Sequence, residues 1–291
     1  MLPGMAAKPR ITIVGAGNLG AALAVSLRRA GYAIEAVLAH SRGPSLKKAQ
    51  RLAKEVNAKA VLQLPHAMSA QVVWLCVPDA EVARTSRTLA DKTPWKGRVA
   101  LHSSGALTSD ELSILRKRGA SVASVHPLMT FVRGSRPSLA GVPFAVEGDA
   151  AAVRLARRIV SHLRGHAYSI RKSEKAAYHA WGTFASPLFT ALLATTEQVA
   201  AAAGVSRKAA QRRMIPILLQ TLANYASVDA AGAFSGPIVR GDVDTVKHHL
   251  RVLRKVPAAH EVYLALAQAA LEYLPTKNKN LLKKALDCES D

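Results

Sequence analysis

Lys175 and His179 lie four residues apart in the run Lys175-Ala176-Ala177-Tyr178-His179. That spacing puts both side chains on one face of a helix. Such a pair could move a proton and orient a substrate; a lysine on a solvated helix face shows the same pattern. His126 stands before Pro127 at the end of an apolar run. A histidine there can act as a proton donor near neutral pH, or hydrogen-bond within the turn and hold it. His102-Ser103-Ser104-Gly105 ends another apolar run. Its hydroxyls and N–H groups suit a bound carboxylate or amide, and equally a helix-capping turn. In Gly236-Pro237-Ile238-Val239-Arg240-Gly241-Asp242, Asp242 reads as a helix N-cap. Arg240 is the one group of that loop able to clamp a carboxylate bidentately, and is otherwise a surface arginine.

The elements that would position these groups begin at Arg10. An apolar run, Ile11 to Val14, enters Gly15-Ala16-Gly17-Asn18-Leu19-Gly20, and a helical pattern follows as far as Gly31. A second apolar run, Ala33 to Ala39, ends in His40-Ser41-Arg42. Strand, glycine turn, helix and strand in this length make one βαβ unit, the context in which GxGxxG denotes a dinucleotide site. Gly15 would allow the tight turn, Gly17 the approach of a pyrophosphate, and Gly20 close helix packing. The helix N-terminus would offer N–H groups to the phosphates. An acid after the second strand would favour NAD; this chain has Ser41 and Arg42, then Lys47 and Lys48. A hydroxyl and a guanidinium suit a 2′-phosphate, so NADP(H) is the expected cofactor.

Further strands are expected at 61–64, 71–77, 98–101, 120–125, 142–146 and 166–170, with helices at 80–90, 109–118 and 150–163. Asp79 is expected to cap the first of these helices. The run Gln71 to Val77 is nearly all apolar, as in a parallel strand buried on both faces. It ends at Pro78, so Val77 and Pro78 are expected along the cofactor. This alternation predicts an α/β doubly wound, mostly parallel sheet. After Ile170 the pattern is helical throughout, with a bend at Pro187 and a kink at Pro216. The expected division is a Rossmann domain over 1–168 and an all-α domain over 169–291.

The chain has 291 residues, 49% of them hydrophobic, enough for a sizeable core. No apolar run is long enough to span a bilayer. The first residues carry no apolar signal region, and Cys76 and Cys288 form no disulfide framework. A cytoplasmic protein is expected. Net charge is +21, from 40 basic and 19 acidic residues. The basic residues are scattered and aromatics make up only 5%, which argues against nucleic acid and for anionic small molecules. The pairs His162/His166 and His248/His249 lack a third ligand at a recognised spacing, so no metal is expected.

The stretches GAGNLG (15–20), LHSSGALTSDEL (101–112), SVHPLMTF (124–131), GVPFAVEGD (141–149), KAAYHAWGTFAS (175–186) and SGPIVRGD (235–242) span most of the chain. Together they resemble a family of Rossmann-like NADP oxidoreductases whose C-terminal domain has no assigned function. That family falls in the 6-phosphogluconate dehydrogenase-like superfamily, with β-hydroxyacid dehydrogenases, ketopantoate reductase and pyrroline-5-carboxylate reductase. The resemblance implies Lys175 as the acid/base group and His179, where the hydroxyacid dehydrogenases carry asparagine, as its substrate-orienting neighbour. The resulting expectation is an NADPH-dependent reductase of a small carboxylate-bearing carbonyl or imine compound, by hydride transfer in an interdomain cleft. His126 joins Lys175 and His179 as a catalytic candidate. Gly15, Gly17, Asn18, Leu19, Gly20, Ser41, Arg42, Val77, Pro78 and Ser103 are expected to bind cofactor, and Ser104 and Arg240 substrate. A homodimer is the expected assembly. The alternative is a non-catalytic NADP(H)-binding sensor or interaction protein.

Overall fold

The computed structural model describes residues 7–288. Its contacts divide the chain into two compact units between Thr183 and Phe184.

The first unit is built on one eight-stranded sheet, in the order β3-β2-β1-β4-β5-β6-β7-β8. The strands are β1 (Ile11–Val14), β2 (Ile34–Leu38), β3 (Lys59–Val61), β4 (Val72–Leu75), β5 (Val99–His102), β6 (Ser121–Pro127), β7 (Pro143–Gly148) and β8 (His166–Ser169). The helices are α1 (Asn18–Arg29), α2 (Pro44–Val56), α3 (Asp79–Ala90), α4 (Ser113–Lys117), α5 (Ala150–His162) and α6 (Lys175–Thr183). Every pairing is parallel except β6 with β7, which run antiparallel. Strands β1 and β4 are buried along their whole length, as central parallel strands covered on both faces must be. One face packs Ile11, Ile13 and Trp74 with residues of α1, α2 and α5. The other packs Val14, Val73 and Leu75 with residues of α3 and α4. The expected α/β doubly wound class holds.

Several boundaries differ from the sequence reading. Strand β3 lies at Lys59–Val61, two residues early, in register with Ala36–Leu38 of β2; this moves Leu62–Leu64 into the loop after the strand. Asp79 is the first residue of α3, and Pro78 holds the cap position. The stretch 109–118 splits into a 3-10 turn, Ser109–Leu112, and α4. Helix α2 was not anticipated, although Ala49, Leu52, Ala53 and Val56 are buried at helical spacing and Pro44 opens it. Where the sequence reading ends the first domain at 168, the compact unit runs on through α6. The reason is local: Lys175 and Tyr178, the two buried residues of α6, bond to Ser124 and His126 of β6 and to Ser104 just after β5.

The second unit is helical: a π-turn (Phe184–Leu188) containing Pro187, then α7 (Phe189–Ala202), α8 (Arg207–Ala233), α9 (Pro237–Arg240), α10 (Val243–Leu253), α11 (Pro257–Tyr273) and α12 (Lys279–Asp287). Its core joins Val246 and Leu250 to Leu264, Leu271, Leu282 and Leu286. Glu197, buried on α7, accepts hydrogen bonds from Arg207 Nε (2.6 Å) and Gln211 Nε2 (2.8 Å) of α8. Helix α8 is broken at Asp229, where φ is +70°, and Asp229 Oδ1 accepts from the Gly232 N–H to start the last turn. Among the described residues no single helix is long and apolar enough to cross a membrane.

One buried contact holds the turn after β5 to the sheet. Glu147 of β7 accepts from Ser109 N (2.6 Å) and Ser109 Oγ (2.8 Å). Removing the carboxylate strands two buried donors. Glu147→Ala should lower the unfolding free energy of the sheet unit by about 2–4 kcal/mol, and Glu147→Gln by less, because its carbonyl oxygen still accepts one bond. Urea titration followed by tryptophan fluorescence reads both.

Candidate active site

The glycine turn lies at the C-terminal end of β1. Gly15 has φ +104°, and a Cβ there would sit 2.6 Å from the Cys76 carbonyl oxygen. A Cβ on Gly20 would sit 2.1 Å from the Gly15 carbonyl oxygen. Both positions are glycine because the chain packs on itself. Gly17 differs: its φ is −71°, which any residue adopts, and a Cβ there would meet nothing within 4 Å. The protein's own packing gives no reason for glycine at 17, which is exposed with open space beside it. The N-terminus of α1 is also bare. Gly17 offers it no side-chain cap, and no acid lies in its first turn, which leaves N–H groups and a partial positive charge facing that space. The residues therefore fit a dinucleotide's phosphates.

Cavities open on both sides of the turn. One, of 220 Å³, is lined by Gly15, His40, Leu62, Leu64, Val77 and Arg84 among others. The second, of 510 Å³, touches Gly17 and Asn18. Of the expected cofactor residues, Gly15 and Val77 line the first and Gly17 and Asn18 the second. Asn18 also donates to the Phe131 carbonyl at 3.0 Å. Leu19 is the second residue of α1, and Pro78 precedes α3. Ser41 and Arg42 are exposed on the turn after β2. His40, Leu62, Leu64 and Arg84 are lining residues that the sequence reading missed, in part because β3 was placed too late.

At the ends of β5 and β6 the polar residues bond to one another. His102 is fully buried; its Nδ1 accepts from the Ser104 N–H (3.1 Å), so its Nε2 donates to the Thr108 carbonyl (3.0 Å). Burial, and then the charge of Lys175, holds it down to about 4, so the ring is neutral. Ser103 Oγ accepts from Trp74 Nε1 (2.9 Å), and Ser104 Oγ from the Leu107 N–H (2.9 Å). Lys175 is 1% exposed. Its ammonium donates to the Ser104 carbonyl (3.1 Å) and to Ser124 Oγ (2.7 Å), while Ser124 Oγ donates to the same carbonyl (3.2 Å). Burial lowers Lys175 to about 8, against the opposing pull of Glu147 and Asp79.

His126, half-buried, has its Nδ1 2.7 Å from Tyr178 Oη. Burial, followed by the charges of Lys175 and His179, lowers His126 to about 4, and burial pushes the Tyr178 phenol well above its ordinary value. Both groups are neutral at pH 7. With Tyr178 donating to Nδ1, Nε2 carries the ring proton. The His126 and His179 rings lie 6.4 Å apart. A Cβ on Gly105 would come within 2.8 Å of His179 Cδ2 and 2.9 Å of His126 Nε2. The structure thus brings Lys175, His126, His179, Ser103 and Ser104 together in one unit. Arg240 belongs to the second unit, where its guanidinium pairs with Asp242 at 2.9 Å.

Residues 5–127 match a Rossmann-like domain family, and residues 142–270 match a domain of unknown function, DUF2520. No curated protein matches the sequence. Among solved structures, a candidate NADP oxidoreductase from Bacteroides fragilis is 20% identical with TM-score 0.75, over 90% of this chain and 97% of that one. An imine reductase from Pseudomonas sp. is 20% identical with TM-score 0.63, over 96% and 100% of the two chains. A reductive aminase from Aspergillus terreus, solved with NADPH and ethyl-5-oxohexanoate, is 16% identical with TM-score 0.67, over 96% and 99%. At these identities the likeness is one of fold.

The neutral histidines make the fold acid-sensitive. Their native values lie near 4 against an unfolded value near 6.5. Between those limits the unfolded chain binds more protons, so stability falls as pH falls. Unfolding measured at pH 7 and pH 4.5 should differ by on the order of 2–3 kcal/mol for each ring. The dependence should flatten in His126→Gln.

Proposed function

We propose that this chain, a Rossmann-like domain followed by a DUF2520 domain, is an NADPH-dependent reductase. Its substrate class is a small carbonyl or imine compound bearing a carboxylate. The observation that carries the reading is the glycine turn after β1, where Gly15 and Gly20 are tightly packed and Gly17 leaves the uncapped start of α1 open. Support comes from the solved imine reductase and from the reductive aminase bound to NADPH, which share the fold. Gly15, Gly17, Asn18, Leu19, Gly20, Val77 and Pro78 would hold the dinucleotide, with Ser41 and Arg42 on its 2′-phosphate. When bound, reduced nicotinamide supplies a hydride.

The chain's own residues supply the proton. Lys175 is the acid: at about 8 it is charged at neutral pH yet ready to give up a proton. Two of its three N–H groups are bonded inside the chain, which leaves the third for the developing anion. Its enclosure keeps bulk water from competing. His126 acts as a neutral electrophile, with Nε2–H polarising the C=O or C=N bond and Tyr178 fixing the ring from behind. His179 closes the other side of Gly105 and orients the substrate.

The test is NADPH oxidation over a panel of keto acids and cyclic imines. Turnover should fall as pH rises through about 8, where Lys175 loses its proton, and should be lost in Lys175→Met. Gly17→Ala should weaken NADPH binding at least tenfold while unfolding changes by less than about 1 kcal/mol. A rate that stays level above pH 8 would remove Lys175 from the proton step. The enclosure of Lys175 also favours a second reading, a non-catalytic NADP(H)-binding sensor. Tight NADPH binding with no turnover of any panel compound selects it.

We also infer a homodimer. Helix α8 leaves Ile215, Leu219, Leu222 and Tyr225 exposed along one face, at 49%, 62%, 53% and 60%, an apolar patch that suits a second copy. Light scattering should give twice 30.9 kDa, and Leu219→Glu with Leu222→Glu should halve it.

A further inference from the structure

Two buried charges share one face of the sheet. Lys175 is 1% exposed and Glu147 6%. The pairing of the strands makes them neighbours. Glu147 of β7 stands opposite Ser124 of β6, and Ser124 opposite His102 of β5. Opposed residues point to the same face, with Cβ atoms about 5 Å apart across an antiparallel pair. That face is the one covered by α3 and α4, since Val122, two residues before Ser124, packs there. Lys175 reaches the same row, its ammonium bonded to Ser124 Oγ. The carboxylate and the ammonium are thus both neighbours of one buried serine.

The local contacts of Glu147 do not need its charge. Ser109 takes both of its oxygens, through the N–H and the hydroxyl. A glutamine could make the same two bonds, since the serine hydroxyl can turn and accept from the amide, and would avoid burying an ion. Among the described residues neither Glu147 nor Lys175 forms an ion pair. Each is left to offset the burial of the other. The remaining charged and titratable groups near Lys175 are poorly placed to do so. Asp79, at the start of α3, is exposed, so solvent screens it. His102 and His126 are neutral, and Tyr178 keeps its proton. His179 is exposed on α6. Lys172 is paired with Asp110, and Asp149 with Arg116. Burial lowers Lys175, and of the charges that oppose it Glu147 pulls hardest, ahead of Asp79.

We propose that Glu147 is the counter-charge of Lys175: a positioning residue that acts through the field across Ser124 and keeps the ammonium charged inside the fold. The bonds from Ser109 then have a second purpose, which is to fix the carboxylate at a set distance from the ammonium. The effect on Lys175 depends on no reaction; only its consequence for turnover rests on the reductase reading given above.

An NMR titration of the full chain carrying isotope-labelled lysine tests this. It follows the Lys175 Cε signal, assigned by its absence in Lys175→Met. Glu147→Gln keeps the shape and removes the charge. It should lower the Lys175 midpoint from about 8 by at least about one pH unit, a tenfold loss of proton affinity. Glu147→Asp shortens the side chain but keeps the charge, and should hold the midpoint within about half a unit of wild type. Asp79→Asn should move it less than Glu147→Gln does. Where wild type turns over a panel compound, the fall in rate at high pH should move down with the midpoint in Glu147→Gln and return in Glu147→Asp. An unchanged midpoint in Glu147→Gln, or a larger shift in Asp79→Asn, overturns the proposal. Equal shifts in both Glu147 variants overturn it too, by showing a role in shape alone. If Glu147→Gln does not fold, Glu147→Met with Ser109→Ala removes the charge together with its partner's hydroxyl and carries the same expectation. A midpoint that shifts as stated in a chain that turns over nothing leaves the counter-charge standing and removes the reductase reading instead.

Discussion

A single ammonium taken out of water organises the end of the sheet. Lys175 must be met by acceptors or stay uncharged, and the acceptors it finds are the Ser104 carbonyl, just past the end of β5, and Ser124 Oγ, midway along β6. The Ser104 carbonyl is thereby committed inward. Its N–H goes to His102 and its hydroxyl to Leu107. Helix α6 consequently docks on the sheet through polar anchors, with Lys175 and Tyr178 as its only buried residues. An apolar stripe would tolerate small slides; a lysine bonded at two points and a phenol bonded to His126 do not. The close fit at Gly105, where no side chain could be added without displacing two imidazoles, follows from that fixed docking.

Much of this was legible in the residues, and the remainder for physical reasons was not. The βαβ unit at residues 10–42 announces itself because its signals are local: an apolar run, three glycines and a helical period. The direction of β7 is not local. The apolar stretch around Phe144 reads the same for a parallel or an antiparallel neighbour, and only pairing with β6 decides. The burial of Lys175 was equally hidden, since its partners lie 51 and 71 residues away. Sequence spacing brought Lys175 and His179 together, but it could not reveal that Ser103 and Ser104 spend their hydroxyls on Trp74 and Leu107. The expected role of Arg42 rests on its place after β2; the cations of the second cavity come from two segments far apart in the chain, α2 and residues 133–136.

The excess of basic residues acquires a structural meaning in the same way. With 40 basic and 19 acidic residues, one-to-one pairing leaves at least 21 cations to solvent or to other anions. The pairs that do form tie elements together, as Arg116 ties α4 to Asp149 before α5, and Arg207 ties α8 to Glu197 on α7. Those left unpaired around the second cavity sit instead at the mouth of an uncapped helix, where positive charge has no internal use.

The reversal at β7 has one more consequence. Because β6 and β7 pair antiparallel, residues 128–142 leave and rejoin the sheet at the same end of neighbouring strands. A parallel successor would have had to carry the chain back beneath the sheet through a crossover. This connection instead runs past the glycine turn, where Asn18 holds Phe131 and Glu55 holds Arg136, before Leu139 enters the core. Its exposed stretch, 132–136, can change in length without shifting the register of any strand. That makes it the part of the fold where descendants of one scaffold could diverge in what they bind while the sheet beneath stays the same.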